Sequence, residues 1–280
     1  MGAKKAKRFV GDTVAYAVLI LVSIFAIIPL AWIISTSLKP VHEIFSNPPH
    51  WIPHEPTTQN YMDVLFDSNI PIAFWNSFLI GLGVAFVSLL LGGSMGYAFS
   101  RFKFRGSKFL SLFILTSQML PITVLMIPMF FMGNNTGLID TRIGLIFAHL
   151  VIALPLVTWI SRGYFATIPV EIEEAARVDG CGMLRTLFAI ILPLLRPALA
   201  ATGIYAFVSS WNEFALANVL TRTMSSRTVP VALSEFSTFF RVDWGDTMAA
   251  ATIITIPVVV IFMGLQKQFV EGLSSGAVKG

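Results

Sequence analysis

The segment from Glu171 to Gly180, EIEEAARVDG, has the residue types and spacing of a short helix that could bind another protein. Three glutamates in its first four residues place negative charge where the helix dipole favours it, and carboxylates on a helix can pair with basic groups of a partner. Thr167 is predicted as the N-cap and Gly180 as the C′ residue. A second helical run is predicted over Met183–Ile191, and it is expected to stop at Pro193.

Other constellations that could carry chemistry are missing from the sequence. The phosphate-binding pattern G-x-x-x-x-G-K-[ST] does not occur, so the chain is predicted to have no nucleotide site and no ATPase activity of its own. No cluster of His, Cys and acidic residues has metal-ligand spacing, and no Ser/His/Asp set stands out. Neither catalytic residues nor a metal site are therefore predicted. His149, in an apolar stretch, is either a proton site or a hydrogen-bonded interior histidine.

The composition indicates that the acidic segment belongs to a membrane protein. Of the 280 residues, 55% are hydrophobic and 12% are charged, which is about half the charge of a soluble domain. Six apolar runs are close to or longer than the roughly 20 helical residues that cross a bilayer. An all-α integral membrane protein with six transmembrane helices is therefore predicted. The predicted spans are Thr13–Leu38, Ser68–Ser100, Phe109–Ile139, Ile143–Ser161, Pro197–Thr221 and Thr247–Gln266.

The distribution of basic residues predicts how these spans are oriented. Fourteen of the 19 Lys and Arg residues lie in four segments, which are 1–12, 101–108, 162–196 and 267–280. By the positive-inside rule these segments, and hence both termini, are cytoplasmic. The net charge of +4 therefore reflects membrane topology and not affinity for nucleic acid.

This topology divides the chain into a cytoplasmic N-terminus, a six-helix membrane domain and a cytoplasmic tail, with predicted bounds 1–12, 13–266 and 267–280. Within the membrane domain, residues 39–67 and 222–246 are expected to form outer loops. The loop 162–196 is the one cytoplasmic surface large enough to bind a partner, and it contains the acidic segment. The lone Cys181 also lies there, so no structural disulfide is expected.

The acidic segment and its surroundings resemble a known motif. Glu174-Ala175-Ala176, Gly180 after three further residues, and Ile190-x-Leu192-Pro193 after nine more match the EAA motif of bacterial ABC importer permeases. The stretches SSWNEFALA (209–217) and GLSSGAVKG (272–280) are similar to the maltose-type permease subunit of carbohydrate ABC importers. The chain is thus identified as a binding-protein-dependent inner-membrane component with a type I permease fold.

The resemblance implies a division of labour between subunits. It implies a bacterial or archaeal cytoplasmic membrane, a second homologous permease subunit, an extracytoplasmic sugar-binding protein and a separate ATPase dimer that binds ATP and Mg²⁺. The EAA segment would be a coupling helix seated in the ATPase, which drives import of a sugar or oligosaccharide. The residues expected to couple to the ATPase are Glu171, Glu174, Ala175, Ala176, Asp179, Gly180, Ile190, Leu192 and Pro193.

Polar residues and prolines within the spans are candidates for the substrate path. Pro121 and Pro128 are expected to lie on nearly the same face of the third span, with Gln118 close by, either as a pore wall or as ordinary kinks. Gly92 and Gly96 form a small-xxx-small pair that predicts close helix packing in the second span.

Trp211, Asn212 and Glu213 form a second polar group, near the outer end of the fifth predicted span. With a rise of about 1.5 Å per residue from Pro197, Glu213 would lie near the outer edge of the membrane. It could bind sugar hydroxyls there, or form a structural salt bridge. Aromatic residues of the outer loop are expected to contact the binding protein or to pack on the outer membrane surface; these are Phe236, Phe239, Phe240 and Trp244.

An ion-coupled secondary sugar transporter is the alternative function, with Glu213 and His149 as coupling groups. Such transporters usually show internal repeats and paired broken helices, which the sequence lacks. A purely structural membrane scaffold would leave the EAA motif unexplained.

Overall fold

Helices dominate the part of the chain that the structure describes. The computed structural model describes residues 2–236 and 242–277, and side chains within 11–236 and 242–266. In chain order the helices are α1 (Gly2–Ser37), α2 (Val41–Ile44), α3 (Gln59–Phe66), α4 (Ile70–Arg101), α5 (Ser107–Thr116), α6 (Ile122–Thr136), α7 (Arg142–Thr167), α8 (Val170–Val178), α9 (Met183–Thr186), α10 (Leu192–Leu194), α11 (Arg196–Trp211), α12 (Ala215–Leu220), α13 (Val229–Ser234) and α14 (Trp244–Ala277). A 3₁₀ turn at Ser117–Met119 follows α5, and a π-helical turn at Leu187–Ile191 follows α9.

Within the described residues, four helices are long and apolar enough to cross a membrane, or up to six stretches if each bent helix pair counts as one span. Four are unbroken and lie in α1, α4, α7 and α14. The other two are bent helix pairs, with a bend of 101° between Ser107–Met119 and Ile122–Thr136 and of 82° between Met183–Leu194 and Arg196–Trp211. The prediction of an all-α protein with six spans is confirmed when each bent pair counts as one span.

The third predicted span differs from expectation because it breaks at Pro121. Leu120 is extended (ψ 124°), as the residue before a proline tends to be, and α6 begins just after Pro121. Pro128 lies inside α6. Pro121 is the N-cap of this helix. The third span is therefore bent and not continuous as expected, and the bend separates Gln118 from Pro128.

The fifth predicted span is also interrupted, between Trp211 and Ala215. The expectation that Glu213 lies in a continuous helix is therefore wrong. Its carboxylate instead accepts hydrogen bonds from the backbone N–H groups of Leu216 (2.8 Å) and Ala217 (2.9 Å). The first turn of α12 would otherwise leave these amides without partners.

The helical run after the acidic segment continues past its predicted stop. Pro193 lies in the first turn of α10, where a missing N–H breaks no helical hydrogen bond. The run ends at Leu194, and the 82° bend follows.

The chain forms two units, the first made of residues 1–68 and 235–254 and the second of 69–234 and 255–280. In the first unit, the Asn60 amide donates to the backbone oxygens of Ser37 (2.8 Å) and Lys39 (3.0 Å). The Ser37 hydroxyl lies 2.7 Å from the Tyr61 hydroxyl. These bonds hold α3 against the C-terminal end of α1.

In the second unit, α4, α7 and α11 pack on one another around a core that includes Val84, Leu145 and Ala206. Gly92 and Gly96 lie where α4 meets α7, as their spacing predicted. A Cβ atom on Gly96 would lie 2.7 Å from the Arg162 backbone nitrogen, and one on Gly92 would lie 2.8 Å from Val157 Cγ1. The two helices can approach this closely only because these side chains are missing.

We expect Gly96→Ala to destabilise the protein by about 1–3 kcal/mol, because backbone atoms of α7 must move to admit the methyl group. Gly93→Ala is the matched control, since a Cβ there meets open space. It should be neutral, or more stable by up to about 1 kcal/mol through helix propensity. Thermal unfolding of the purified chain in detergent measures both variants, and equal stabilities would contradict close packing at Gly96.

Candidate functional site

The acidic segment forms α8, which begins at Val170, directly after Pro169. Ile168 is extended (φ −81°, ψ 125°), since it precedes a proline, and this ends α7 at Thr167. The prediction that Thr167 caps α8 is wrong: its hydroxyl donates to the Tyr164 backbone oxygen (2.7 Å), within α7. No side chain caps the start of α8.

The other end of α8 has the hydrogen bonds of a Schellman motif. The Cys181 N–H donates to the Ala176 oxygen (2.9 Å), and the Gly180 N–H donates to the Arg177 oxygen (3.0 Å). Gly180 has φ +81°, a conformation that glycine adopts without the steric cost of a side chain. It is the C′ residue, as the sequence predicted.

The two faces of α8 differ in exposure. Glu173 and Ala176 are buried, whereas Glu171, Glu174 and Ala175 are exposed, together with Asp179 and Gly180 just beyond the helix. Val178 is 87% exposed. The exposed residues of α8 and of the turn after it therefore present three carboxylates, one basic side chain (Arg177), a small alanine and the apolar Val178.

The buried face of α8 is attached to α4 by an ion pair that sequence reasoning missed. The Arg101 Nε atom lies 2.6 Å from Glu173 Oε1, and the two side chains are only 9% and 4% exposed. The Tyr97 hydroxyl donates to Glu173 Oε2 (3.0 Å), and Arg101 Nη2 donates to the Ile168 backbone oxygen (2.8 Å). The sequence signal was the spacing of Glu173 and Ala176: residues three apart lie on the same face of a helix, so a buried Ala176 implies an inward-facing Glu173.

The rest of the EAA motif packs in the interior. Ile190, Leu192 and Pro193 are partly buried, and Ile191 between them is fully buried. Ile191 belongs to the same apolar cluster as Tyr97. The second half of the motif is therefore held on the same core as the α4 end of the ion pair.

The polar residues expected along a substrate path are not gathered in one place. Gln118 and Pro121 are exposed near the bend between α5 and α6. The Gln118 amide donates to the Ile152 backbone oxygen of α7 (2.6 Å), three residues before Pro155. This hydrogen bond ties the bend between α5 and α6 to α7.

The structure separates the side chains of Trp211, Asn212 and Glu213. Trp211 is buried and stacks on Phe207 (ring centroids 5.5 Å apart), whereas Asn212 is exposed. Glu213 is buried, and its Oε2 lies 3.2 Å from Nε2 of His149.

His149 is an interior histidine with a second partner. Its Nδ1 lies 2.7 Å from the Ser210 hydroxyl, and the ring is 1% exposed. Glu213, His149 and Ser210 therefore form a buried polar chain that links α7 to the end of α11.

A further residue that sequence reasoning missed fixes the loop after α12. Asp140 (φ +62°) accepts hydrogen bonds from the Arg222 and Thr223 backbone amides (2.8 and 2.9 Å) and from the Ser226 hydroxyl. Burial alone would raise the pKa of Asp140, but these hydrogen bonds hold it well below the ordinary value. The loop is thus tied to the turn before α7.

The aromatic residues expected to contact a binding protein are described only in part. Phe236 is partly buried and Trp244 is 42% exposed at the start of α14. Phe239 and Phe240 lie outside the described residues.

Comparison of the sequence with protein families identifies the family of this chain. Residues 88–275, which include α8, match the family model described as "Binding-protein-dependent transport system inner membrane component". The chain therefore belongs to this family of inner-membrane transport components.

Two curated relatives are similar over nearly their whole length. The trehalose transport system permease protein SugB of Mycobacterium tuberculosis is 36% identical over 283 residues and covers 100% of both chains. The trehalose/maltose transport system permease protein MalG of Thermococcus litoralis is 34% identical over 264 residues, covering 93% of this chain and 94% of the relative. The resemblance to carbohydrate ABC importer permeases that the EAA motif predicted is confirmed.

The fold agrees with a solved ABC importer. The crystal structure of a bacterial ABC transporter involved in the import of the acidic polysaccharide alginate matches with a TM-score of 0.80 and 24% identity. The match covers 94% of this chain and 98% of that one. The predicted ABC importer permease fold is therefore confirmed.

We expect Glu173→Gln to loosen α8, because it leaves Arg101 as an unpaired buried charge, at a cost of about 3–5 kcal/mol. Amide hydrogen exchange of Val170–Val178 should become at least about 100-fold faster, since every 1.4 kcal/mol is about tenfold. Glu171→Gln, on the exposed face, is the matched control and should exchange like the wild type. Equal protection of α8 in the two variants would contradict the role of the ion pair.

Proposed function

We propose that the chain is a permease subunit of an ATP-driven importer that moves a sugar or oligosaccharide into the cytoplasm. Two relatives are named as transport proteins for trehalose or for trehalose and maltose, which supports a carbohydrate substrate. The complex would contain a second homologous permease subunit, an extracytoplasmic sugar-binding protein and an ATPase dimer that binds ATP and Mg²⁺. The chain itself supplies part of the pathway and no nucleotide site.

One observation carries the coupling role: α8 has one face fixed to its own subunit and one face free. Glu173 and Ala176 fix the helix, while Glu171, Glu174 and Ala175 point outward. An exposed face with two carboxylates and a small residue can enter a cleft closely and pair with basic groups there. In this proposal the free face seats in the ATPase.

Movement of the ATPase would then reach the membrane through the ion pair. Arg101 is the last residue of α4, so force on α8 enters that helix at its tip. Asp179 and Gly180 shape the turn that leaves α8, and Ile190, Leu192 and Pro193 hold the following helix from within. In this proposal each residue of the EAA motif either holds the two helices in place or contacts the ATPase.

For the substrate path we propose the exposed polar groups beside the helix breaks. Gln118, Pro121 and Asn212 would face the sugar, and Trp211 and Glu213 would support the path from the buried side. The bend at Pro121 and the break before α12 support this assignment, because irregular backbone at membrane depth is tolerated where it is covered by protein or lines a cavity.

We propose that both termini lie in the cytoplasm and that residues 222–246 lie outside. The basic residues in 101–108 and 162–196 support this orientation. Phe236, Phe239, Phe240 and Trp244 would then lie where a binding protein docks. The ion-coupled alternative is not favoured, because the chain belongs to a family of binding-protein-dependent transport components.

Two thiols should report opposite sides of the membrane. Cys181, the native cysteine, is partly exposed and should react with a membrane-impermeant maleimide only after intact cells are permeabilised. A cysteine at Ser225, which is exposed, should react without permeabilisation in a Cys181→Ser background. The neighbouring Ser226 is 2% exposed and is unsuitable. Labelling of both thiols from outside would contradict the proposed topology.

Coupling through α8 is tested by Gly180→Val in the assembled complex. Open space surrounds a Cβ at this position, so the variant is strained only by its backbone conformation, which a β-branched residue rarely adopts. Gly180→Asn is the matched control, because asparagine tolerates a left-handed conformation. We expect binding-protein-stimulated ATP hydrolysis and sugar uptake to fall at least about tenfold for valine, and to be largely kept for asparagine.

Glu174→Lys in the same assay separates charge from backbone geometry. The variant leaves the fixed face of α8 intact, so the chain should insert and fold normally while it loses the ATPase. Asp67→Lys, an exposed acid in the other unit, is the charge-matched control. Wild-type uptake by both Glu174→Lys and Gly180→Val would show that α8 docks nothing important.

A further inference from the structure

The first unit contains a cluster of metal-binding side chains that the sequence reading did not predict. Ligand atoms from Glu43, His50 and His54 lie within 4.8 Å of one another. Glu43 comes from α2, and the two histidines come from the Pro-rich loop that follows it, separated by three residues. Two histidines and one glutamate are a ligand set that proteins use for Zn²⁺, with a fourth position left for water.

His50 has a buried ring nitrogen that lacks a hydrogen-bond partner. Its Nδ1 atom is shielded from solvent and unpaired, and it lies 3.7 Å from Glu43 Oε1. This separation is too long for a hydrogen bond. Buried polar atoms are generally paired, so the orphan nitrogen points to a ligand between itself and the carboxylate.

The Glu43 carboxylate is held in a fixed orientation by two backbone amides. Its Oε1 accepts a hydrogen bond from the His54 backbone N–H (2.8 Å), and its Oε2 accepts one from the Glu55 backbone N–H (3.3 Å). Carboxylates that are oriented by outer hydrogen bonds in this way are typical of metal ligands.

The loop that carries the histidines is also held in place. The Lys39 ammonium donates to the His50 backbone oxygen and lies 4.4 Å from the centre of the Trp32 ring. The Ser35 hydroxyl donates to the Trp51 backbone oxygen (2.5 Å). The rings of His50 and His54 stack with centroids 4.1 Å apart, so both imidazoles are already close to the carboxylate.

We propose that Glu43, His50 and His54 bind one divalent transition-metal ion of the zinc class, with water as the fourth ligand. Zinc–ligand bonds of about 2.0–2.2 Å require the donor atoms to close to about 3.3 Å. The exposed His54 ring can supply this movement by rotating. Imidazole ligands favour Zn²⁺, Ni²⁺ or Cu²⁺, whereas Ca²⁺ and Mg²⁺ prefer all-oxygen sites. The ion would link α2 to the Pro-rich loop. This proposal does not depend on the transport function proposed above.

The test measures metal binding by the full chain, purified in detergent with a tag that contains no histidine and stripped of metal by a chelator. Addition of Co²⁺ should give the visible absorption of a four-coordinate site and saturate at one ion per chain, and Zn²⁺ should displace it. Zn²⁺ should also raise the unfolding temperature. Wild-type protein that binds no stoichiometric Co²⁺ or Zn²⁺ would overturn the proposal without any variant.

Two histidine variants, one in the proposed site and one outside it, test which residues bind the metal. His54→Ala removes an exposed ligand and should weaken Zn²⁺ binding by more than about 100-fold, because even an outer-shell partner of a metal ligand contributes about 10- to 100-fold. His42→Ala is the matched control: His42 is exposed, lies 3.5 Å from Glu55 instead and should leave binding unchanged. Full Zn²⁺ binding by His54→Ala, or equal loss in both variants, would overturn the assignment.

Discussion

The position of α8 in the second unit depends on a buried ion pair. Arg101 and Glu173 meet where water is largely excluded, so neither charge is tolerable without the other. Because Arg101 ends α4 and Glu173 lies in the middle of α8, the pair fixes the position of a short helix that has no side-chain cap of its own. Tyr97 and the Ile168 carbonyl complete the hydrogen bonding, which makes this polar group acceptable among the apolar side chains around it.

A second constraint governs the helix breaks. Backbone groups that are freed at membrane depth need partners within the protein, and side chains provide them here. Gln118 pairs with a carbonyl near Pro155, and Glu213 accepts hydrogen bonds from two amides at the start of α12. At the break before α12 the two freed amides thus have a partner, so this break is a defined feature of the fold and not a local failure of helix formation.

Local rules were sufficient for the features that depend on local sequence. The apolar runs predicted the spans because a bilayer demands length and apolarity, and Gly180 was predicted because its turn needs a positive φ. Gly92 and Gly96 were predicted as a packing contact because small-xxx-small spacing puts both on one face. The EAA motif predicted the family because its spacing is specific.

The remaining features depend on contacts between residues that are distant in sequence. Glu173 is buried because it pairs with Arg101, which lies 72 residues earlier. In the sequence, Arg101 was interpreted only as a marker of the cytoplasmic side of the membrane. Thr167 is an exception with a local cause: Pro169 makes Ile168 extended, so α7 ends at Thr167 and the hydroxyl bonds within α7 instead of capping α8. Glu43, His50 and His54 have no familiar spacing as a set, because the path of a Pro-rich loop brings them together.

The ion pair also limits how the sequence can change over generations. A substitution of Arg101 or Glu173 alone leaves an unpaired charge in the interior, so a lineage that passes through such an intermediate loses the attachment of α8 to α4. Relatives should therefore retain both residues, or have replaced both with an uncharged pair. Covariation between these two columns of an alignment, 72 positions apart, is the evolutionary record that this contact should leave.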